Sequence, residues 1–147
     1  MPPRWPKALA RALQEEDGFS LIELLVVLII VGLLAAIAIA AFTGQQNKAH
    51  DADAKTAART AQTAMETYFV DHHSYSGATV AELQDVQPSL LDAPHLQVNQ
   101  ATSDQYEIQT SSTSTDPVTF KVTRSMNGTI ARTCTPADTG GCKGGAW

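Results

Sequence analysis

The pattern of apolar and polar positions divides the chain before composition does. From Leu24 to Phe42 no side chain carries a charge or a hydrogen-bonding group. That run of about 19 residues, at about 1.5 Å each in a helix, covers a hydrocarbon core of about 30 Å. From Gln45 to about Asp71 the chain turns polar but contains no proline or glycine. Alanine, the best helix former, recurs there at Ala49, Ala52, Ala54, Ala57, Ala58, Ala61 and Ala64. Ala54, Ala57, Ala58, Ala61, Met65, Tyr68 and Phe69 fall at three- and four-residue steps and form one apolar stripe. The spacing predicts one helix from about Phe19 to Asp71, apolar all round in its first half and amphipathic in its second. Asp51 and Lys55, four apart, are placed to pair along it.

After His72-His73-Ser74-Tyr75-Ser76-Gly77 the period changes. Thr79 to Leu83 fits a short helical turn, with Thr79 as cap and Glu82 closing a capping box, and fits an irregular loop equally well. Pro88 and Pro94 bracket another irregular stretch. Leu96–Asn99 reads as a weak strand. Gln105–Thr110 and Val118–Thr123 alternate polar and apolar residues, the mark of half-buried strands. Thr129–Arg132 follows Asn127-Gly128, a pair that signals a two-residue hairpin of type I′. Ser111 to Asp116 is a polar loop between strands. The fold class expected is α+β: one long N-terminal helix laid against a small antiparallel sheet of three or four strands. Tyr106, Ile108, Val118, Phe120 and Val122 face the helical stripe.

The N-terminus poses the functional question. Arg4, Lys7 and Arg11 precede the apolar run, yet Glu23 lies inside its first turns. A secretory signal peptide is one reading, but the apolar run exceeds the usual signal core of about 7–15 residues. A plain anchor with its N-terminus inside is another, as the basic residues predict. A carboxylate in a membrane span costs about 2.5–3.5 kcal/mol on insertion scales and points to function, unless Glu23 reaches the headgroups.

Gly18-Phe19-Ser20-Leu21-Ile22-Glu23, joined directly to the long apolar run, resembles the N-terminal signature of type IV pilins and of the pseudopilins of type II secretion. The resemblance is close from Gly18 to about Ala41 and architectural beyond it. It implies cleavage between Gly18 and Phe19 by a prepilin peptidase and N-methylation of Phe19. It implies that Glu23 neutralises the Phe19 amine of a neighbouring subunit as a filament grows. Opposite charges attract strongly in low dielectric, and each is costly if left alone there, so docking relieves Glu23. The pattern departs in two places. Ala40 stands where many members have a helix-kinking proline, leaving Gly32 and Gly44 as weak points. Glu15-Glu16-Asp17 stands where family leaders tend to be basic.

The resulting organisation is a leader over 1–18, a transmembrane or filament-core helix over 19–44 and a globular head over 45–147. Within the head are a helix (45–72), a connecting loop (73–95), an antiparallel sheet (96–133) and a C-terminal disulfide loop (134–147). The implied function is a structural subunit of a type IV pilus, polymerising through its N-terminal helix. The alternatives are a secretion pseudopilin or a minor pilin acting in DNA uptake or adhesion. The implied partners are further copies of the chain, the prepilin peptidase and the assembly platform in the cytoplasmic membrane. The implied location is single-pass in that membrane with the C-terminus outside, then in an extracellular filament.

Charge and candidate chemistry narrow this only a little. The net charge of −5 argues against a dedicated nucleic-acid partner. Lys121, Arg124, Arg132 and Lys143 are a modest basic set, read either as strand-edge charge or as a DNA-binding patch. Cys134 and Cys142 are the two cysteines. An even count in an exported chain favours a disulfide over two free thiols, and the resembling family commonly has a C-terminal disulfide loop. His50, His72, His73 and His95 show no metal-ligand spacing. No nucleophile elbow or phosphate loop is present, so neither catalytic residues nor a cofactor are expected. Asn127-Gly128-Thr129 matches a glycosylation acceptor at the expected turn.

Overall fold

The computed structural model describes residues 18–147. The leader expected over 1–18 therefore lies, apart from Gly18, outside the described residues. The chain divides between Ala40 and Ala41 into two compact units.

A single helix, α1, runs from Leu21 to His72. It is helical through Gly32 and Gly44, and a Cβ at either would meet nothing within 4 Å. In the first unit every large apolar side chain described is exposed, none less than 47%. The helix is long and apolar enough to cross a membrane. In the second unit Ala54, Ala58 and Ala61 of α1 are wholly buried. Because their side chains end at Cβ, the sheet approaches the helix closely there, while Met65 and Tyr68 fill the wider part.

Four strands pair in the order β1 (Gln97–Ala101), β2 (Tyr106–Ser111), β3 (Thr119–Arg124) and β4 (Ile130–Thr135), all antiparallel. Tyr106, Ile108, Val118, Phe120 and Val122 are each 0–1% exposed and form the inner side of the sheet, as the alternation predicts. Burying each such aliphatic or aromatic side chain contributes about 1.5–3 kcal/mol, so these and the alanine stripe carry most of the head's cohesion. The outer side is polar. There Asn99 Nδ2 donates to Glu107 Oε1 and Gln109 Oε1, and Lys121 pairs with Glu107 at 2.9 Å. That lysine, helped by Asn99, holds the Glu107 carboxyl below its usual range despite partial desolvation.

Several elements differ from expectation. The stretch opened by Pro88 is a 3-10 turn, Pro88–Asp92, which buries Leu90. Thr79 does cap a helix, α2 (Val80–Val86), its Oγ1 accepting from Glu82 N–H. The β3–β4 hairpin forms, but not around a type I′ turn, since Gly128 has positive φ (+81°) and Asn127 does not. Gly128 N–H donates to Ser125 C=O and Ser125 N–H to Thr129 C=O. The loop is thus a type I turn closed by a left-handed glycine, the three-residue solution to the same strand twist. Cys134 lies within β4 rather than after the sheet.

Candidate functional site

The site that the sequence singles out begins at the helix N-terminus. Phe19 and Ser20 precede α1, and Leu24 N–H donates to Ser20 C=O, so Ser20 is the capping residue. Glu23 Oε2 accepts a hydrogen bond from Ser20 N–H at 3.1 Å. This is the acidic half of a capping box, with Glu23 three residues after the cap. It places a carboxylate among unpaired amide donors at the positive end of the helix dipole. Glu23 thus has a local task in the isolated chain. The Ser-x-x-Glu spacing was a legible signal for it, although the sequence reading sent the carboxylate either to the headgroups or to a neighbour's terminus. Gly18, Phe19 and Glu23 are brought together at this end of the helix, all exposed. Around them Leu21, Ile22 and the aliphatic residues that follow are uncovered.

A second constellation fixes the C-terminal segment. Cys134 and Cys142 form a disulfide. The intervening loop reaches α1 through the backbone of one residue, Gly141. Asp51 Oδ2 accepts from Gly141 N–H at 2.7 Å, and Lys55 Nζ donates to Gly141 C=O at 2.7 Å. Asp51 and Lys55 therefore grip a backbone unit of the loop instead of pairing along the helix. Asp51 is only 3% exposed, and its Oδ1 is buried without a partner. Gly140 is required here: its φ is +50°, and a Cβ on it would run into Asp51 Oδ2. Trp147 then folds over the sheet, its Nε1 donating to Thr133 C=O and its ring edge-on to Phe120. The guanidiniums of Arg59 and Arg132 lie 5.6 Å and 6.0 Å from that ring. No sequence signal marked this clasp, because its central acceptor and donor belong to a glycine backbone.

A third cluster lies at the far end of the head. Glu66 receives the hydroxyls of Tyr75 (2.8 Å) and Tyr106 (3.0 Å), with Arg124 at 3.5 Å. Burial first, and then the adjacent Glu66 carboxylate, raise both phenols, Tyr75 to about 12.

The remaining candidates are dispersed. Lys121 and Arg124 are paired with carboxylates, Arg132 donates to Gln62, and Lys143 is exposed in the C-terminal loop. Two of the histidines make structural contacts: His50 with Thr113, and His72 stacked on Tyr68. Among the described residues no group of His, Cys, Asp or Glu is placed to hold a metal ion. Asn127 is exposed, its side chain accepting from Thr129 N–H.

A capped, uncovered apolar helix continuing into a disulfide-closed α+β head defines the pilin-like class of fold. Comparison with known proteins agrees. Residues 15–39 match the family described as "Prokaryotic N-terminal methylation motif". The chain is 42% identical over 59 residues to the type IV major pilin protein PilA of Myxococcus xanthus, an alignment covering 40% of this chain and 27% of that one. It is 33% identical over 86 residues to the type II secretion system core protein G of Escherichia coli, covering 58% of this chain and 56% of that one. The chain thus matches between a quarter and somewhat over half of these relatives' lengths. The chain therefore carries the N-terminal methylation motif and is similar to both a type IV pilin and a type II secretion core protein.

Proposed function

We propose that the chain is a structural subunit of a type IV pilus. The observation that carries this reading is the Gly18–Glu23 motif opening directly into an apolar helix whose large side chains are exposed among the described residues. On this reading residues 1–18 are a leader, removed between Gly18 and Phe19 by a prepilin peptidase, and Phe19 is N-methylated. Residues 19–44 anchor the subunit in the cytoplasmic membrane with the head outside, then form the filament core. Glu23 meets the Phe19 amine of the adjacent subunit. The capping contact to Ser20 N–H supports this, because it holds one carboxylate oxygen at the level of the helix terminus where such an amine would arrive. The head supplies the exposed surface, and its disulfide suits an oxidising exterior. No reaction is assigned to it.

A specific observation favours the pseudopilin alternative: the alignment to the secretion protein reaches further along this chain than that to the pilin. The two readings part on where the polymer is found.

The test is intact mass and N-terminal sequencing of protein sheared from the native cell surface. A Phe19 start with one added methyl group and a closed disulfide in surface fibres supports the pilus reading. A processed chain that stays with the envelope and is needed for secretion supports the pseudopilin. An uncut Met1 start defeats both. Glu23→Ala should be processed normally yet fail to enter filaments; normal assembly would remove the proposed role of Glu23.

A further inference from the structure

The exposed side of α1 in the head is electrically divided. On one flank Asp53, with Thr56, Ala57 and Thr60, lines a groove of about 560 Å³ whose opposite wall is the 3-10 turn and the residues after it, including Asp92. On the other flank Lys55, Arg59 and Gln62 face the C-terminal clasp and β4, where Arg132 and Trp147 sit. Asp53, Asp92, Arg59 and Arg132 are exposed. Among the described residues the ion pairs are Lys121 with Glu107 and Arg124 with Glu66, so none of these four is in one.

Between the flanks runs a threonine ridge. Thr60 donates its hydroxyl to Thr56 C=O, Thr63 to Arg59 C=O and Thr67 to Thr63 C=O. Each of these hydroxyls is satisfied within the helix, so the ridge can be covered without stranding a donor.

One chain thus carries an acidic groove and a cationic, aromatic-backed flank on opposite sides of one helix, separated by a surface cheap to desolvate. When the groove of one copy takes the flank of the next and leaves the second groove and flank free, the contact is heterologous, head to tail. Contacts of that kind propagate into open helical polymers when they do not close into rings. We infer that the heads dock on one another in this way, the Arg59–Arg132 flank of one copy entering the Asp53–Asp92 groove of the next. The partner is a second copy of this chain. The inference rests on the filament reading above and specifies the contact by which neighbouring heads set their register. Complementary charge fixes register and rejects like-charged placements, which cost several kcal/mol.

The experiment uses the full-length chain expressed in its native cell, with sheared surface filament quantified for wild type, Arg59→Glu, Asp53→Arg and the double variant. Intact mass of each preparation reports processing to Phe19 and disulfide closure. Each single variant should be processed normally and lose filament by about tenfold or more, as like charges then oppose each other. The double variant should recover most of the loss, because position 59 of one copy and position 53 of the next again carry opposite charges while Arg132 still meets Asp92. Arg59 also lies over Trp147 in its own chain. A role confined to that contact would not be restored by a change at Asp53 on the far flank. Single variants that assemble like wild type, or a double variant no better than the singles, would overturn the inference. Absence of any filament from wild type would instead overturn the filament reading, and the inference with it.

Discussion

Removing the Asp51 carboxylate tests whether the C-terminal clasp holds the head together as described. Asp51→Ala deletes the acceptor for Gly141 N–H, a charge-assisted bond of 2.7 Å at a position 3% exposed. Stranding a donor opposite a charged partner costs about 1.5–3 kcal/mol. The same substitution removes Asp51 Oδ1, a buried oxygen with no partner. That offsets about 1 kcal/mol, leaving a net loss of about 0.5–2 kcal/mol. For a head on the order of 100 residues, each kcal/mol shifts Tm by about 4 °C, so Asp51→Ala should melt about 2–8 °C lower. Asp51→Asn keeps the acceptor and should lose less. The assay is thermal unfolding of a chain expressed from Phe19 onward in detergent, followed by circular dichroism and tryptophan emission. Trp147 is the one tryptophan after Gly18, so its emission reports directly on the clasp. It should shift to the red in Asp51→Ala before the main transition. A variant that melts within about 1 °C of wild type, with emission unchanged, would refute the assignment of Asp51 as the clasp's anchor.

Reduction, or Cys134→Ser with Cys142→Ser, should cost about 2.5 kcal/mol on the loop-entropy scale, given a sequence separation of 8, and chemical denaturation measures it. Ala58→Leu should destabilise by about 1–3 kcal/mol, because Ala58 is 0% exposed in the core of the head, whereas Thr63→Leu on the exposed ridge should be nearly neutral in the isolated chain. Tyr75 and Tyr106 keep their protons above the ordinary phenol range in the folded head, while the unfolded chain releases them near pH 10. Stability should therefore be unaffected by these groups at neutral pH and fall as pH rises above about 10. Glu66→Gln should bring the Tyr75 titration, read by phenolate absorbance, down toward the ordinary value.

Much of this was legible in the sequence because it was periodic. Ala54, Ala58, Ala61 and Met65 announce a helix face, and Tyr106, Ile108, Phe120 and Val122 announce one side of a sheet, since burial follows the 3.6- and 2-residue periods. What escaped was non-periodic. Tyr75 reads as a loop residue after two histidines, yet it is fully buried against Tyr106 and donates to Glu66. The bulge at Asn99, where the register slips between Val98 and Gln100, has no apolar signature. At the N-terminus the Gly18–Glu23 motif was readable as a motif, while the hydrogen bond from Ser20 N–H to Glu23 is a property of local backbone geometry. Asp51 and Lys55 were misread because the helix offers them a local pairing, and the loop offers a better one that depends on a left-handed Gly140.

The returning C-terminal segment also governs what the sheet can touch. Thr133 bridges to Ala146, and Cys134 N–H donates to Gly145 C=O, along the side of β4 that β3 does not use. Those are the positions a strand from another molecule would need in order to extend the sheet. At the opposite side β1 is short and interrupted by its bulge. On the filament reading proposed above, a subunit held in a membrane before assembly is thereby kept from joining its neighbours strand to strand. Reducing the disulfide would open one border of the sheet, and the chain's failure under reducing conditions would then take the form of cross-strand aggregates rather than simple unfolding.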